Sequence, residues 1–183
     1  MMSLPPIAAS ANGIIALSGS ASARTGVGTS MMPDEAGRHA KTIALERALL
    51  ISAICRNQWP RKPVSIGKII SQVLLQNLME FGVHSRRYLE LTNQNLNLGE
   101  HYWQSADLAP SNPFSRNGRD LINKIIHHRE IKLVAWTNPD SNEFCVFSFA
   151  QVTSDRGTHS FCPDALAMAF ISLATNLQEM ELV

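Results

Sequence analysis

The residues best suited to nucleophilic chemistry lie around Cys162, near the C-terminal end of the sequence. Cys162 directly precedes Pro163, and proline is favoured at the first position of a helix. A helix N-terminus lowers the pKa of a nearby thiol. His159 or His101 could act as the base, with Asp155 or Asp107 orienting the histidine. The alternative is a buried free cysteine that packs beneath neighbouring strands, as free cysteines commonly do.

A second group of residues is suited to binding phosphates and base edges. A predicted helix over residues 66–81 is followed by Gly82, and Ser85 could begin a further helix that carries Arg86 and Arg87. This outline predicts a helix-turn-helix, a motif that binds DNA through its second helix. The alternative is a pair of core helices with a solvated Arg-Arg corner. The full set of candidate binding residues is Arg61, Lys62, Lys68, Arg86, Arg87, Asn93 and Gln94.

Several common kinds of catalytic and cofactor site are missing from the sequence. It contains no glycine-rich phosphate loop after a strand, no paired-carboxylate site and no serine-centred nucleophile motif. The nearest Cys and His combination, His159 with Cys162, lacks the second pair that structural zinc requires. His127 and His128 are adjacent on a predicted helix and point about 100° apart, so they cannot readily share a metal ion. We predict no metal and no cofactor, and we expect a binding protein rather than an enzyme.

The composition is that of a globular protein with an uneven charge distribution. The chain has 183 residues, of which 45% are hydrophobic and 17% are charged, and its net charge is +1. Residues 36–90 carry nine basic and three acidic residues, whereas residues 91–183 carry six basic and ten acidic ones. This asymmetry favours either an anionic partner for the basic part or attraction between the two parts. No apolar run is long enough to span a membrane, and three cysteines, an odd number, favour a reducing compartment.

Residues 1–32 have the composition of a disordered leader. They contain six serines and four glycines, and Arg24 is their single charged residue. Such a segment buries too little apolar surface to offset the entropy of ordering it. We therefore predict one domain over residues 33–183. The leader could be an unstructured address for a specialised secretion system, or an upstream extension of a protein that begins at Met31 or Met32.

The elements that must position these residues form an α+β domain. Apolar residues spaced three and four apart predict three N-terminal helices, over about 34–59, 66–81 and 85–91, and a further helix over 119–129. Asn117 or Ser115 is expected to cap that further helix. Residues 131–137 and 143–152 predict a β-hairpin, with turn residues at 138–142. We expect a strand or an irregular segment at 101–108, a loop at 153–160 and a C-terminal helix that Pro163 opens.

Three hypotheses for the function follow from these patterns. The first is a non-enzymatic, cytoplasmic regulatory protein of bacterial or mobile-element type, whose basic helices over 36–90 contact nucleic acid or an acidic protein surface. The second is a cysteine-dependent hydrolase, or an effector secreted through the leader, that uses Cys162. The third is an assembly or adaptor subunit whose exposed apolar stripe, through Leu74, Leu78 and Phe81, is covered by a second copy or another partner.

Overall fold

Helices and antiparallel strands are combined in this protein, which confirms the predicted α+β class. The computed structural model describes residues 15–17, 33–98, 117–137, 143–155 and 157–180. Within them, the elements in chain order are β1 Ile15–Leu17, α1 Pro33–Arg56, β2 Trp59–Pro60, α2 Val64–Thr92, α3 Gly118–Ile126, β3 Glu130–Thr137, β4 Phe144–Ser154, β5 Gly157–Phe161 and α4 Pro163–Met180.

The predicted hairpin is confirmed and forms the centre of the sheet. β3 and β4 pair in antiparallel fashion from Glu130 opposite Thr153 to Thr137 opposite Cys145, with an irregularity between Val134 and Ala135. β1 pairs with the other edge of β3, while β2 and β5 both pair with the far edge of β4. The turn predicted at 138–142 lies outside the described residues.

The prediction of a loop over residues 153–160 is wrong, because this stretch completes β4 and forms most of β5. Ser154 pairs with Gly157, so the two strands are joined by a two-residue connection. Gly157 has φ +105°, a left-handed conformation that glycine adopts without the steric cost of a Cβ atom. Thr158 and His159 then continue as a strand opposite Thr153 and Val152. The chain therefore turns at Gly157 and returns along β4 as β5.

The core lies between the sheet and the helices. α1 and α2 run antiparallel, since His39 near the start of α1 meets His84 in the second half of α2, with ring centroids 6.4 Å apart. α4 packs against α1, and its Phe170 makes an edge-to-face contact with Phe81 at 5.3 Å. Leu74, Leu78 and Phe81 are all 0% exposed. The prediction that this stripe needs an external partner is therefore wrong, because the chain's own helices and sheet cover it.

The prediction of three N-terminal helices is wrong, because α2 is continuous from Val64 to Thr92. Gly82 does not end a helix. It is buried where α3 crosses α2, and a Cβ atom at this position would lie 3.3 Å from Ile126 Cγ1 and 3.4 Å from Ile125 Cγ2. Ser85 is also buried and its hydroxyl donates to the Gly82 carbonyl at 3.3 Å, so it caps no helix. Position 82 holds a glycine because α3 packs so closely here that a side chain would crowd it.

The starts of α3 and α4 agree with the sequence. The Asn117 side chain accepts hydrogen bonds from the backbone N–H groups of Arg119 and Asp120, at 3.0 and 3.4 Å, which is the capping role predicted for it. Pro163 is the first residue of α4. The predicted strand or irregular segment at 101–108 lies outside the described residues.

The described part of the predicted leader is the short strand β1. Its Ile15 pairs with Leu133 and its Leu17 with Ile131, so this apolar tripeptide extends the sheet rather than remaining unpaired. The rest of residues 1–32 lies outside the described residues, so the predicted disorder of the leader stays a prediction. Among the helices of the described residues, none combines the length and apolar character needed to cross a membrane.

Candidate functional site

The helix-turn-helix that the sequence predicts is not formed. Arg86 and Arg87 lie within the continuous helix α2, five turns or more after its start, rather than at the beginning of a separate recognition helix. Because the turn at Gly82 is missing, no short second helix projects these arginines towards a DNA groove. Arg86 instead lines a cavity between α2 and α3, and its surroundings define the candidate site.

The predicted binding residues fall into two groups at opposite ends of α2. Arg61 and Lys62 precede α2, and Lys68 lies in its first two turns. Lys68 and Arg86 are separated by about 27 Å along the helix axis, at 1.5 Å per residue. A small ligand therefore cannot contact both groups, whereas an extended polyanion could.

The last two residues of the predicted set follow α2. Asn93 ends the helix in a left-handed conformation, with φ 52°, and its side chain is exposed. Gln94 donates its backbone N–H to the Leu89 carbonyl at 3.1 Å, and its side-chain Oε1 is buried without a hydrogen-bond partner. Gln94 is therefore turned towards the protein, and Asn93 is the one of the two that faces solvent.

Arg86 lines a polar cavity between α2, α3 and the end of β4, which we call the α2–α3 cleft. The cavity has a volume of about 300 Å³. It brings Arg86 together with Asp155, two residues that the sequence assigned to different hypotheses. The remaining lining residues are all polar or charged: Asp120, Asn123, Lys124, His127 and Ser154.

Hydrogen bonds order the basic side chains of the α2–α3 cleft. Arg86 donates from Nε to Glu90 Oε1 at 2.8 Å, and its Nη1 lies 3.3 Å from His127 Nε2. A guanidinium can only donate, so His127 Nε2 is the acceptor where this contact is a hydrogen bond. Lys124, which is 7% exposed, pairs with Asp120 one turn earlier on α3. Asp155 pairs with Arg129 at 2.5 Å.

One carboxylate beside the cleft, Glu90, pairs with Arg86 at 2.8 Å and is also influenced by the charges of two further arginines. The pKa of Glu90 lies below its ordinary value, chiefly because Arg86 donates a hydrogen bond to it, and the charges of Arg86, Arg119 and Arg87 lower it further. Arg119 comes from the first turn of α3, so the group is assembled from two helices. We call Arg86, Arg87 and Arg119 the arginine cluster. One carboxylate offsets only one of these three charges, so the cluster retains a positive potential.

Three residues of this region were missed as binding residues, namely Arg119, Lys124 and His127. Asp120, Lys124 and His127 recur on one face of α3, opposite the apolar face that packs on α2. That polar stripe is visible in the sequence. Its proximity to Arg86 is not, because the crossing of α3 over Gly82 determines it.

Cys162 does not have the environment of an activated thiol. It lies directly before α4, as predicted, but burial raises the pKa of its thiol. The backbone N–H groups of Ala165 and Asp164 favour the thiolate, and the Asp164 carboxylate opposes it. The net direction is opposite to the lowered pKa expected from the helix N-terminus, because desolvation outweighs the helix-end contribution.

The structure separates the proposed partners of Cys162. Asp155 precedes β5 and Cys162 follows it, and a five-residue strand spans about 16 Å. Asp155 therefore belongs to the α2–α3 cleft and cannot orient a base beside Cys162. His159 is buried in β5 opposite Val152, and His101 lies outside the described residues. The cysteine-dependent hydrolase stays a prediction.

No cluster of three or more His, Cys, Asp or Glu residues suited to a metal ion is present in the described part of the chain. Comparison of the chain with protein-family models, with curated proteins and with solved structures gave no match. The case for a function therefore rests on the residues of the α2–α3 cleft and the arginine cluster.

Proposed function

We propose that the protein is a non-enzymatic regulatory protein that binds nucleic acid through its phosphate backbone, with the arginine cluster as the principal contact. The observation that carries this proposal is the basic surface around Glu90, which Arg86 contacts at 2.8 Å and whose pKa the charges of Arg119 and Arg87 also lower. The proposal keeps the anionic partner expected from the basic segment 36–90 and replaces the predicted recognition helix with a surface formed by α2 and α3.

The chemistry of the cluster suits phosphate groups. A guanidinium presents five N–H donors in a planar fork and binds phosphate oxygens in pairs, with more directional contacts than a lysine ammonium makes. Arg87 is exposed and Arg86 is half-buried, so both can meet a ligand at the surface. Lys68, exposed on the same helix, could contact phosphates farther along an extended chain.

Binding of this kind depends little on base sequence. Phosphate contacts position a protein on nucleic acid, whereas readout of sequence requires side chains that reach base edges in a groove. Because α2 is a 29-residue helix packed on α1 and α3, it has no projecting recognition segment. We therefore expect similar affinity for unrelated sequences and a strong dependence on salt.

We also propose a cytoplasmic location in a bacterium or in a cell that carries a mobile element. All three cysteines, Cys55, Cys145 and Cys162, are free, which is usual for proteins of reducing compartments. Exposed Leu50 and Ile69, on α1 and α2, support self-association, in which a second copy would cover them. Light scattering of the purified chain would show a dimer mass if this part of the proposal is correct.

The test is fluorescence anisotropy of labelled duplex and single-stranded DNA, titrated with the full chain over a series of salt concentrations. We expect the logarithm of the association constant to fall linearly with the logarithm of salt, with a slope of about −0.9 per phosphate contacted on duplex DNA. Arg87→Ala and Arg119→Ala should each reduce that slope by about one contact. Glu90→Gln should tighten binding, because it removes the carboxylate that competes with phosphate.

Lys132→Ala is the matched control, since it removes one positive charge from β3, where Lys132 pairs with Glu130. It should leave the salt slope unchanged. Absence of salt-dependent binding to either form of DNA would refute the proposal. So would equal effects of Arg87→Ala and Lys132→Ala. Binding of a polyglutamate peptide without binding of DNA would replace nucleic acid with an acidic protein surface.

A further inference from the structure

Polar contacts hold the start of α4 against the last turns of α1. The Ser52 hydroxyl donates to Asp164 Oδ1 at 2.6 Å. Arg56 Nε lies 3.1 Å from Oδ1 and 3.0 Å from Oδ2 of the same carboxylate. Ser52 and Arg56 are four residues apart on α1, so they share one helix face, and this face adjoins the N-terminal turn of α4.

Two cysteines meet at this junction. Cys55 follows Ser52 by three residues and lies on the same face of α1, and Cys162 precedes Asp164 by two residues. The contacts of Asp164 with Ser52 and Arg56 bring the start of α4 to this face of α1, and the Asp164 backbone N–H acts to lower the pKa of both thiols. Both cysteines therefore lie at the junction that Ser52, Arg56 and Asp164 form between α1 and α4.

We infer that Cys55 and Cys162 form an oxidation site, in which a low-molecular-weight disulfide such as glutathione disulfide converts the two thiols into an intramolecular disulfide that joins α1 to α4. This inference does not depend on the proposed nucleic-acid binding, because the junction is separate from the α2–α3 cleft. Cys145 is not part of the site, because it lies on β4, where it pairs with Trp59 of β2 and Thr137 of β3.

The difference in burial assigns an order to the two thiols. Cys162 is partly exposed, so its thiolate attacks one sulfur of glutathione disulfide, breaks the S–S bond and releases one glutathione. Cys55, which is 6% exposed, then attacks the Cys162 sulfur of the mixed disulfide and releases the second glutathione. The two thiol protons are taken up by the two glutathione thiolates. Two protein thiols are oxidised and one glutathione disulfide is reduced.

The burial of both thiols makes this a slow site at neutral pH. Burial, with smaller effects of Cys162 and the Asp164 carboxylate, raises the pKa of Cys55 to about 12, and burial also raises the pKa of Cys162. Only the thiolate reacts, so the rate should increase about tenfold per pH unit while the pH stays below these pKa values. The site would therefore respond to sustained oxidation.

The experiment treats the full native chain with glutathione disulfide at several mildly alkaline pH values, blocks the remaining thiols with N-ethylmaleimide and maps the peptides by mass spectrometry. We expect a cross-linked peptide pair that contains Cys55 and Cys162, one maleimide adduct on Cys145, and a rate that rises with pH. The main result comes from the unaltered protein and does not depend on the folding of any variant. The oxidised chain should also have a higher Tm, because the bond closes a long loop.

Two variants sharpen the test. Cys145→Ser should form the same cross-link at the same rate, whereas Cys55→Ser should accumulate a stable mixed disulfide of glutathione on Cys162. The inference is overturned if Cys145 takes part in the cross-link, if the native chain stops at the mixed disulfide, or if disulfides form only between chains.

Discussion

Replacement of Val83 by proline tests the continuity of α2, on which the candidate site depends. Val83 lies in the middle of α2 and its side chain is 50% exposed, so removing it leaves no cavity in the core. Proline in a helix interior removes the hydrogen bond to the carbonyl four residues earlier, here that of Met79, and its ring clashes with that carbonyl. We expect a loss of about 3 kcal/mol or more in the free energy of unfolding.

Urea denaturation followed by far-ultraviolet circular dichroism measures this loss. Val83→Ala is the control, because it truncates the same exposed side chain in a helix and should change stability by about 0.5 kcal/mol or less. If the chain turned at Gly82, Val83→Pro would be tolerated. A loss below about 1 kcal/mol for Val83→Pro would therefore refute the continuous helix and restore the helix-turn-helix as the interpretation of this segment.

Three further predictions concern local contacts. Gly118→Ala should destabilise the protein by about 1–3 kcal/mol in urea denaturation, because its Cβ would lie 2.6 Å from Leu96 Cγ and 2.8 Å from the Leu96 carbonyl oxygen. Asn117→Ala should cost about 1 kcal/mol in the same assay through loss of the α3 cap, and Asn117→Asp much less. Burial, aided by His39, lowers the pKa of His84 below 6.5. The unfolded chain therefore binds a proton that the folded chain does not, so stability should fall as the pH decreases through 6.5, and His84→Gln should flatten that slope. A His84 pKa above 6.5 by NMR titration would contradict this.

Much of the fold could be predicted because local signals were strong. The β-branched and aromatic residues of β3 and β4, the Asn117 cap and Pro163 at the start of α4 each act within a few residues, and the structure confirms all three. Their information is contained in the nearby sequence, so no tertiary contact is needed to interpret it.

Two predictions, the end of a helix at Gly82 and the loop at 153–160, were wrong because a glycine can have more than one structural role. Gly82 and Gly157 both interrupt otherwise regular patterns, and a sequence pattern treats each as a break. Gly157 is a turn residue, as its φ of +105° shows, but the turn joins two strands rather than opening a loop. Gly82 keeps a helical conformation, and its missing side chain allows α3 to approach α2. For Gly82 the role depends on what packs against it, and that partner, Ile125 and Ile126 of α3, lies more than 40 residues away in the sequence.

The same tertiary contact explains why the candidate site was predicted only in part. Arg86 and Arg87 were identified from their own sequence neighbourhood, but a pair of arginines on a solvated helix carries no specific meaning. The significance of Arg86 comes from α3, whose Lys124 lines the same cavity and whose Arg119 acts on the same carboxylate, and Gly82 allows α3 to cross closely here. A large residue at position 82 would thus have two effects with one cause. It would push α3 away from α2, and it would disperse the positive charge on which the proposed phosphate binding depends.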